Sequence, residues 1–209
     1  LLDALSKIQG YDIMIRSLRK EIEIFREENV PLYTEINIET QKYAQLNGAM
    51  MVEMEGKELT LQQAAVFLMS TDRTKREEAY QRITERRLKD KDVLDELFSK
   101  LINLRHRVAI NAGFENFRDY MFKSLGRFDY TPKDCFDFHD AIAHEVVPIL
   151  NEFSKERKSA LKVNQLRPWD KAVDPEGREA LKPFTTGTEL AEKTIEVFKR
   201  TDPFLGQCI

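Results

Sequence analysis

Eight apolar residues at the start of the chain, Leu1, Ala4, Ile8, Tyr11, Ile15, Leu18, Ile22 and Phe25, recur at alternating steps of three and four. Only a helix carries such a series along one side. The first expectation is therefore a long N-terminal helix of about seven turns with a narrow, coiled-coil-like seam. Gly10 lies inside it and weakens it by about 1 kcal/mol relative to Ala, so a break falls most easily at Gly10-Tyr11. Asn29-Val30-Pro31 ends this helix and seats a proline in the first turn of the next, where its missing N–H does no harm. The second helix carries Leu32, Ile36, Tyr43 and Leu46 and closes at Asn47-Gly48.

One stretch changes period. Val52 and Met54 alternate with Glu53 and Glu55, Gly56-Lys57 can turn the chain, and Leu59 and Leu61 alternate on the return, which predicts a small β-hairpin near 51–61. Helical spacing then resumes. Thr60 stands three residues before Gln63, a capping-box spacing that opens a helix through Ala64, Ala65, Phe67 and Leu68. Asp72 caps another, with Ala79, Tyr80 and Ile83 inward. A third runs from about Asp92 through Leu94, Leu97, Phe98, Leu101, Leu104 and Val108, stopping where Gly113 can supply a left-handed turn. Thr131-Pro132 with Asp134 starts the best-marked helix, whose one face holds Cys135, His139, Ile142, Val146, Ile149 and Phe153. Pro148 cannot donate to the carbonyl of His144 and predicts a kink there. The fold class is mainly α: a multi-helix array with a long N-terminal helix and one hairpin.

Composition shifts once, from Lys162 to Gly187, where Pro168, Pro175 and Pro183 fall together with a turn at Asp174-Pro175-Glu176-Gly177. So long a connection is uncommon within a compact domain and suggests a segment draped over another part. Trp169, the only tryptophan, is its expected anchor. Thr188 caps a last helix through Leu190, Ile195, Val197 and Phe198. The chain thus divides into a helical segment with the hairpin (1–161), an irregular connector (162–187) and the helical start of a following part (188–209).

Charge removes several function classes. Lys and Arg total 33 against 36 Asp and Glu, interleaved in sign, so no basic face for nucleic acid or anionic lipid arises. No apolar stretch approaches the roughly 18 residues of a membrane span. Only two cysteines, Cys135 and Cys208, suit a reducing compartment, and a cytoplasmic location is expected.

Candidate chemistry is sparse. His144-Glu145 opens like the zinc-peptidase motif H-E-x-x-H, which needs two imidazoles one helical turn apart, but its closing position holds Pro148. His139 and His144, five apart, point about 140° apart on a helix and cannot share a metal; His106, between Arg105 and Arg107, reads as a surface residue. Cys135 and His139 share a helix face, as a thiol nucleophile and its base would, yet both lie on the apolar stripe with no third group. Asp134, Asp137, Asp140 and Glu145 scatter around a helix start, where negative charge is favoured anyway. No phosphate loop, G-x-G-x-x-G or G-x-S-x-G occurs. Arg127-Phe128-Asp129-Tyr130 could face a channel, though a helix-joining turn explains it as well. A helical interaction or scaffold module without activity remains the alternative reading, and a small Cys-His enzyme a remote third.

Three stretches, in order, resemble oligoendopeptidase F of the thimet-oligopeptidase-like zinc peptidases. They are Gly56-Lys57-Glu58-Leu59-Thr60-Leu61-Gln62-Gln63-Ala64-Ala65, the run from Leu104-Arg105-His106-Arg107-Val108-Ala109-Ile110-Asn111-Ala112-Gly113 through Phe114-Glu115-Asn116-Phe117-Arg118-Asp119-Tyr120, and Leu166-Arg167-Pro168-Trp169-Asp170. Gly126-Arg127-Phe128-Asp129-Tyr130-Thr131-Pro132 stands between the last two. The resemblance implies a clam-shaped helical enzyme whose channel admits short peptides, with zinc held by two His and a Glu downstream of the matched region. It makes this chain one wall of that channel, with the catalytic part as its partner and H-E-x-x-H encoded beyond Ile209. No catalytic, metal or substrate-binding residue is carried over, and the 209-residue chain by itself is expected to bind no zinc and to be inactive.

Overall fold

The computed structural model describes residues 8–209. Helix α1 spans Asp12–Ile24 and α2 Asn29–Gly48; strands β1 (Met51–Met54) and β2 (Lys57–Thr60) follow, then α3 (Leu61–Ala65), α4 (Arg73–Lys89), α5 (Lys91–Asn111), α6 (Phe117–Ser124), α7 (Pro132–Ala141), α8 (Val147–Ala160), α9 (Gly187–Thr201) and the single turn α10 (Leu205–Cys208). Short 3-10 turns occupy Val66–Met69 and Pro168–Asp170, and a π turn over Ile142–Val146 joins α7 to α8.

The expected N-terminal helix is shorter among the described residues. Gly10 takes a left-handed φ of 93°, so α1 begins only at Asp12, while Leu1 and Ala4 lie outside the described residues. The seam does not bury as a stripe. Ile15 and Ile24 are buried, joined by Lys20, whereas Leu18, Ile22 and Phe25 face out. Lys20 earns its inward place by donating from Nζ to the Ser124 carbonyl at 2.8 Å, which ties α1 to the end of α6.

The hairpin forms with Met51 opposite Thr60 and Met54 opposite Lys57. Its two-residue turn is Glu55-Gly56, at φ 51° and 74°, one residue earlier than Gly56-Lys57. Two positive φ angles match the right-handed twist of the strands, and Gly adopts one of them without strain. The Thr60–Gln63 capping box is present in both directions, the Asp72 carboxylate accepts from Thr74 N at 2.9 Å, and Gly113 closes α5 at φ 87°.

Two buried clusters hold the first part together. Met50, Val52, Met54, Leu61, Ala64 and Ala79 join the hairpin to α3 and α4. Ile24, Leu32, Leu104, Val108, Ala109, Ala112 and Tyr120 join α1, α2, α5 and α6. Asn29, at 1% exposure, locks the second cluster: its Nδ2 donates to the Val108 carbonyl at 3.0 Å and its Oδ1 accepts from Asn111 at 2.9 Å. A buried amide with both ends satisfied fixes the register of α2 on α5.

Beyond Pro132 the pattern differs. The Thr131–Asp134 capping box starts α7, but the helix does not simply break at Pro148. Val147 N–H reaches back five residues to the Ile142 carbonyl; this π turn widens the helix just ahead of Pro148 and carries the chain into α8. Neither α7 nor α8 has a buried residue. The N-cap of α9 is Thr186, accepting from Glu189 N at 3.1 Å, rather than Thr188: the helix starts at Gly187, so Thr188 already lies inside its first turn.

Candidate functional site

The residues singled out in the sequence do not converge. Cys135 is half-buried and free, and His139 is exposed, with its ring edge-on to Phe136 at 6.4 Å. His144 turns its Nδ1 to the Asp140 carbonyl at 2.7 Å, a bond within its own helix. Asp134 is spent on capping; its bonds from Thr131 hold its carboxyl below the usual range. Asp137 pairs with Lys133 at 2.5 Å. Among the described residues no group of three or more His, Cys, Asp or Glu could hold a metal ion, so the residues present do not fit a zinc centre. Arg127-Phe128-Asp129-Tyr130 is a joint: Arg16 of α1 lies over the Phe128 ring at 4.4 Å and pairs with Asp129 at 3.1 Å, while Phe122 and Tyr130 meet edge-on at 5.5 Å.

The residue that sequence reasoning missed is Asp170. Fully buried, it accepts from Arg73 Nε at 3.0 Å and Nη2 at 2.9 Å, from Arg76 Nη2 at 3.0 Å and from Arg167 N at 2.9 Å. These donors, Arg73 first, hold its carboxyl far below the ordinary carboxylate value. Arg157 of α8 adds bonds to the Asp170 and Val173 carbonyls at 3.3 and 2.7 Å. Trp169 packs its ring on Tyr80 at 5.4 Å. The connector is therefore pinned to α4 mainly by a carboxylate among arginines, with Trp169 as the lesser tie. The signal available was Arg73 and Arg76, three apart, but their partner lies 97 and 94 residues away.

The largest unexplained feature is a surface. Phe136, Phe138, Val146, Val147, Ile149, Leu150 and Phe153 of the α7–α8 rod are all exposed, Phe153 at 59%, and Leu190, Val197 and Phe198 continue the exposure on α9. Large apolar side chains left in water along a helix mark a surface suited to be covered by another part. A long helical rod with an amphipathic face but no buried residue is half of an interface.

The described residues thus form a helical array with a single hairpin and an exposed apolar face. The chain belongs to peptidase family M3, whose family model matches residues 66–200. Its fold is that of a protein assigned as an oligoendopeptidase F from Bacillus anthracis str. Ames, with a TM-score of 0.89 at 18% identity, covering 98% of this chain and 37% of that one. A second protein assigned as oligoendopeptidase F superposes with a TM-score of 0.90 at 21% identity, covering 98% and 36%. PZ peptidase A, in a structure with an inhibitor, gives 0.89 at 23% identity, covering 98% and 36%. The chain thus spans little more than a third of the length of these proteins. No curated protein matches it. Among the described residues no helix is long and apolar enough to cross a membrane.

Proposed function

We propose that this chain is a non-catalytic helical wall of a zinc-dependent oligoendopeptidase, lining part of the channel in which the parent enzyme hydrolyses short peptides. The observation that carries this reading is the apolar face of α7–α8 and α9, left uncovered in a chain that spans 36–37% of its structural neighbours. Its occupant is the catalytic part of the same parent polypeptide. Membership of family M3 supports the activity, and the lack of convergent ligands among the described residues supports placing the zinc on that other part. In the same reading 1–161 serves as the lobe, 162–187 as its connector and 188–209 as the start of the catalytic part, within the cytoplasm.

The test is reconstitution. The reading frame containing this chain is expressed in full, and the part after Ile209 is expressed separately. We expect H-E-x-x-H in that later part, chelator-sensitive cleavage of a quenched short peptide by the full protein, and none by the 209-residue chain. A stop codon soon after Ile209, or stoichiometric zinc retained by the chain after dialysis, would overturn the proposal; the first outcome would favour a helical scaffold module instead.

A further inference from the structure

A concavity opens between α1, α2, α5 and α6. It measures about 390 Å³, toward the lower end of the roughly 300–1,000 Å³ of small-molecule sites. Ile24, Ile36, Phe117 and Met121 supply an apolar lining. The Tyr33 and Tyr120 hydroxyls meet at its wall in a short hydrogen bond. Burial first, and then the Tyr120 partner, raise the Tyr33 hydroxyl above its ordinary value, so it keeps its proton.

The cationic group here is Arg105 of α5, half-buried and bordering the cavity. It makes no hydrogen bond or ion pair with any described residue. The other arginine of this wall, Arg26, is already engaged with the carbonyls of Glu23, Phe25 and Ala112. A guanidinium held at an apolar cavity without an acceptor is suited to take a planar carboxylate on two N–H groups. Glu21, from α1, borders the same cavity with its carboxylate paired to Lys20 at 2.5 Å. The cavity thus offers a free cation, an apolar bed and an anion on a separate helix.

We propose that this cavity binds the carboxylate of an apolar amino acid through Arg105, with the side chain on Ile36, Phe117 and Met121. The ligand has two sources, a free amino acid or the C-terminal residue of a peptide, and they differ in whether a free ammonium is present to meet Glu21. The site stands apart from the proposed peptidase reading, since it uses only residues of this chain.

Calorimetric titration and methyl NMR of the 209-residue chain decide it, with phenylalanine, N-acetylphenylalanine and phenylalaninamide as probes. The two acids should bind at least about ten-fold more tightly than the amide, and Arg105→Gln should abolish that advantage while leaving binding of the amide unchanged. Because Arg105 has no hydrogen-bond or ion-pair partner among the described residues, the variant should melt like the parent. The Met121 methyl should shift on binding. Arg105 also borders the groove beyond it with Thr40, Tyr43 and Phe98, and shifts confined to that side would overturn the assignment. Phenylalanine binding tighter than its N-acetyl form identifies a free amino acid; the reverse identifies a peptide end. Equal binding of acid and amide, no saturable binding, or indifference to Arg105→Gln would overturn the proposal.

Discussion

Residues 12–124 and residues 132–209 are built from the same kind of helix, yet only the first region has a core. Among the described residues, all but one of the buried hydrophobic residues lie between Ile15 and Tyr120, and the exception is Val173 in the connector. In the second region α9 carries a capped start, basic residues in its last turn and a clear apolar side, with no buried residue. Local helix signals and burial are therefore separable. Caps and amphipathic spacing specify that a helix forms and which side it will bury, but not whether the covering surface belongs to the same stretch of chain. In the second region the helix signals are present and the burial is not.

The point where the regions meet should show the largest effect. Asp170 is the only buried carboxylate bonded to two guanidinium groups among the described residues, and it ties the connector to α4. Asp170→Ala leaves Arg76, itself buried, without its counter-charge, with only the Trp169, Ser70 and Thr71 carbonyls as acceptors, and should destabilise the chain by about 3–5 kcal/mol in urea unfolding. A loss under about 1 kcal/mol would mean that the two regions are not joined through this carboxylate.

The core itself gives the next contrast. Leu104→Ala, in the α1–α2–α5–α6 cluster, should cost about 2–5 kcal/mol. Ile149→Ala, at 53% exposure on α8, should stay within about 0.5 kcal/mol. In a longer polypeptide that covers α8, the cost of Ile149→Ala should rise toward the core value. Equal costs in both settings would break the comparison and remove the reason to see an interface on that face.

Proteolysis sharpens the boundary inside the connector. Its first half holds Asp170 and the buried Val173, whereas Leu181 in the second half is 93% exposed. Arg167 and Lys182 precede Pro168 and Pro183 and so resist trypsin; among the cleavable sites, Arg178 in the second half should be cut well before Lys171, which directly follows the buried Asp170 and bonds its N–H to the Pro168 carbonyl. Asp170→Ala should erase that order. Early cleavage at Lys171 in the unaltered chain would show the first half to be loose.

These contrasts show what could be read in advance. The hairpin, the Thr60–Gln63 and Thr131–Asp134 boxes, the Asp72 cap and the Gly113 stop were legible because each depends on neighbours within about four residues. The connector's irregularity followed from its three prolines. What escaped notice is long-range or counter to type: Asp170 between Arg73 and Arg76, Asn29 buried against α5, and Lys20 turned inward while Ile22 faces out. Charged and amide groups are assigned to the surface by default, and only a partner distant in sequence reverses that. The candidate site was the least legible part, since neither Arg105 nor the cavity beside it leaves a motif.

The smallest expected effect lies in the second region and depends on pH. Glu189, in the first turn of α9, accepts from Lys193 Nζ at 2.6 Å and from Thr185 N and Oγ1, both at 2.7 Å. These bonds, Lys193 first, lower its carboxyl from an ordinary 4.5 to about 2. A carboxyl held below its unfolded value stabilises the folded helix most above pH 4.5, and that contribution disappears as pH falls toward about 2. With no core behind α9 to compensate, its first turn should fray across this window, seen as faster amide exchange at Thr188 to Lys193. Glu189→Gln should exchange faster from the outset and lose the pH dependence between 4.5 and 2. Half-molar salt should weaken the effect, because the Lys193 pair is exposed and screened. An unchanged exchange profile in the variant would mean that α9 is held by its apolar face rather than by this cap, and so that the second region is less open than its exposed residues imply.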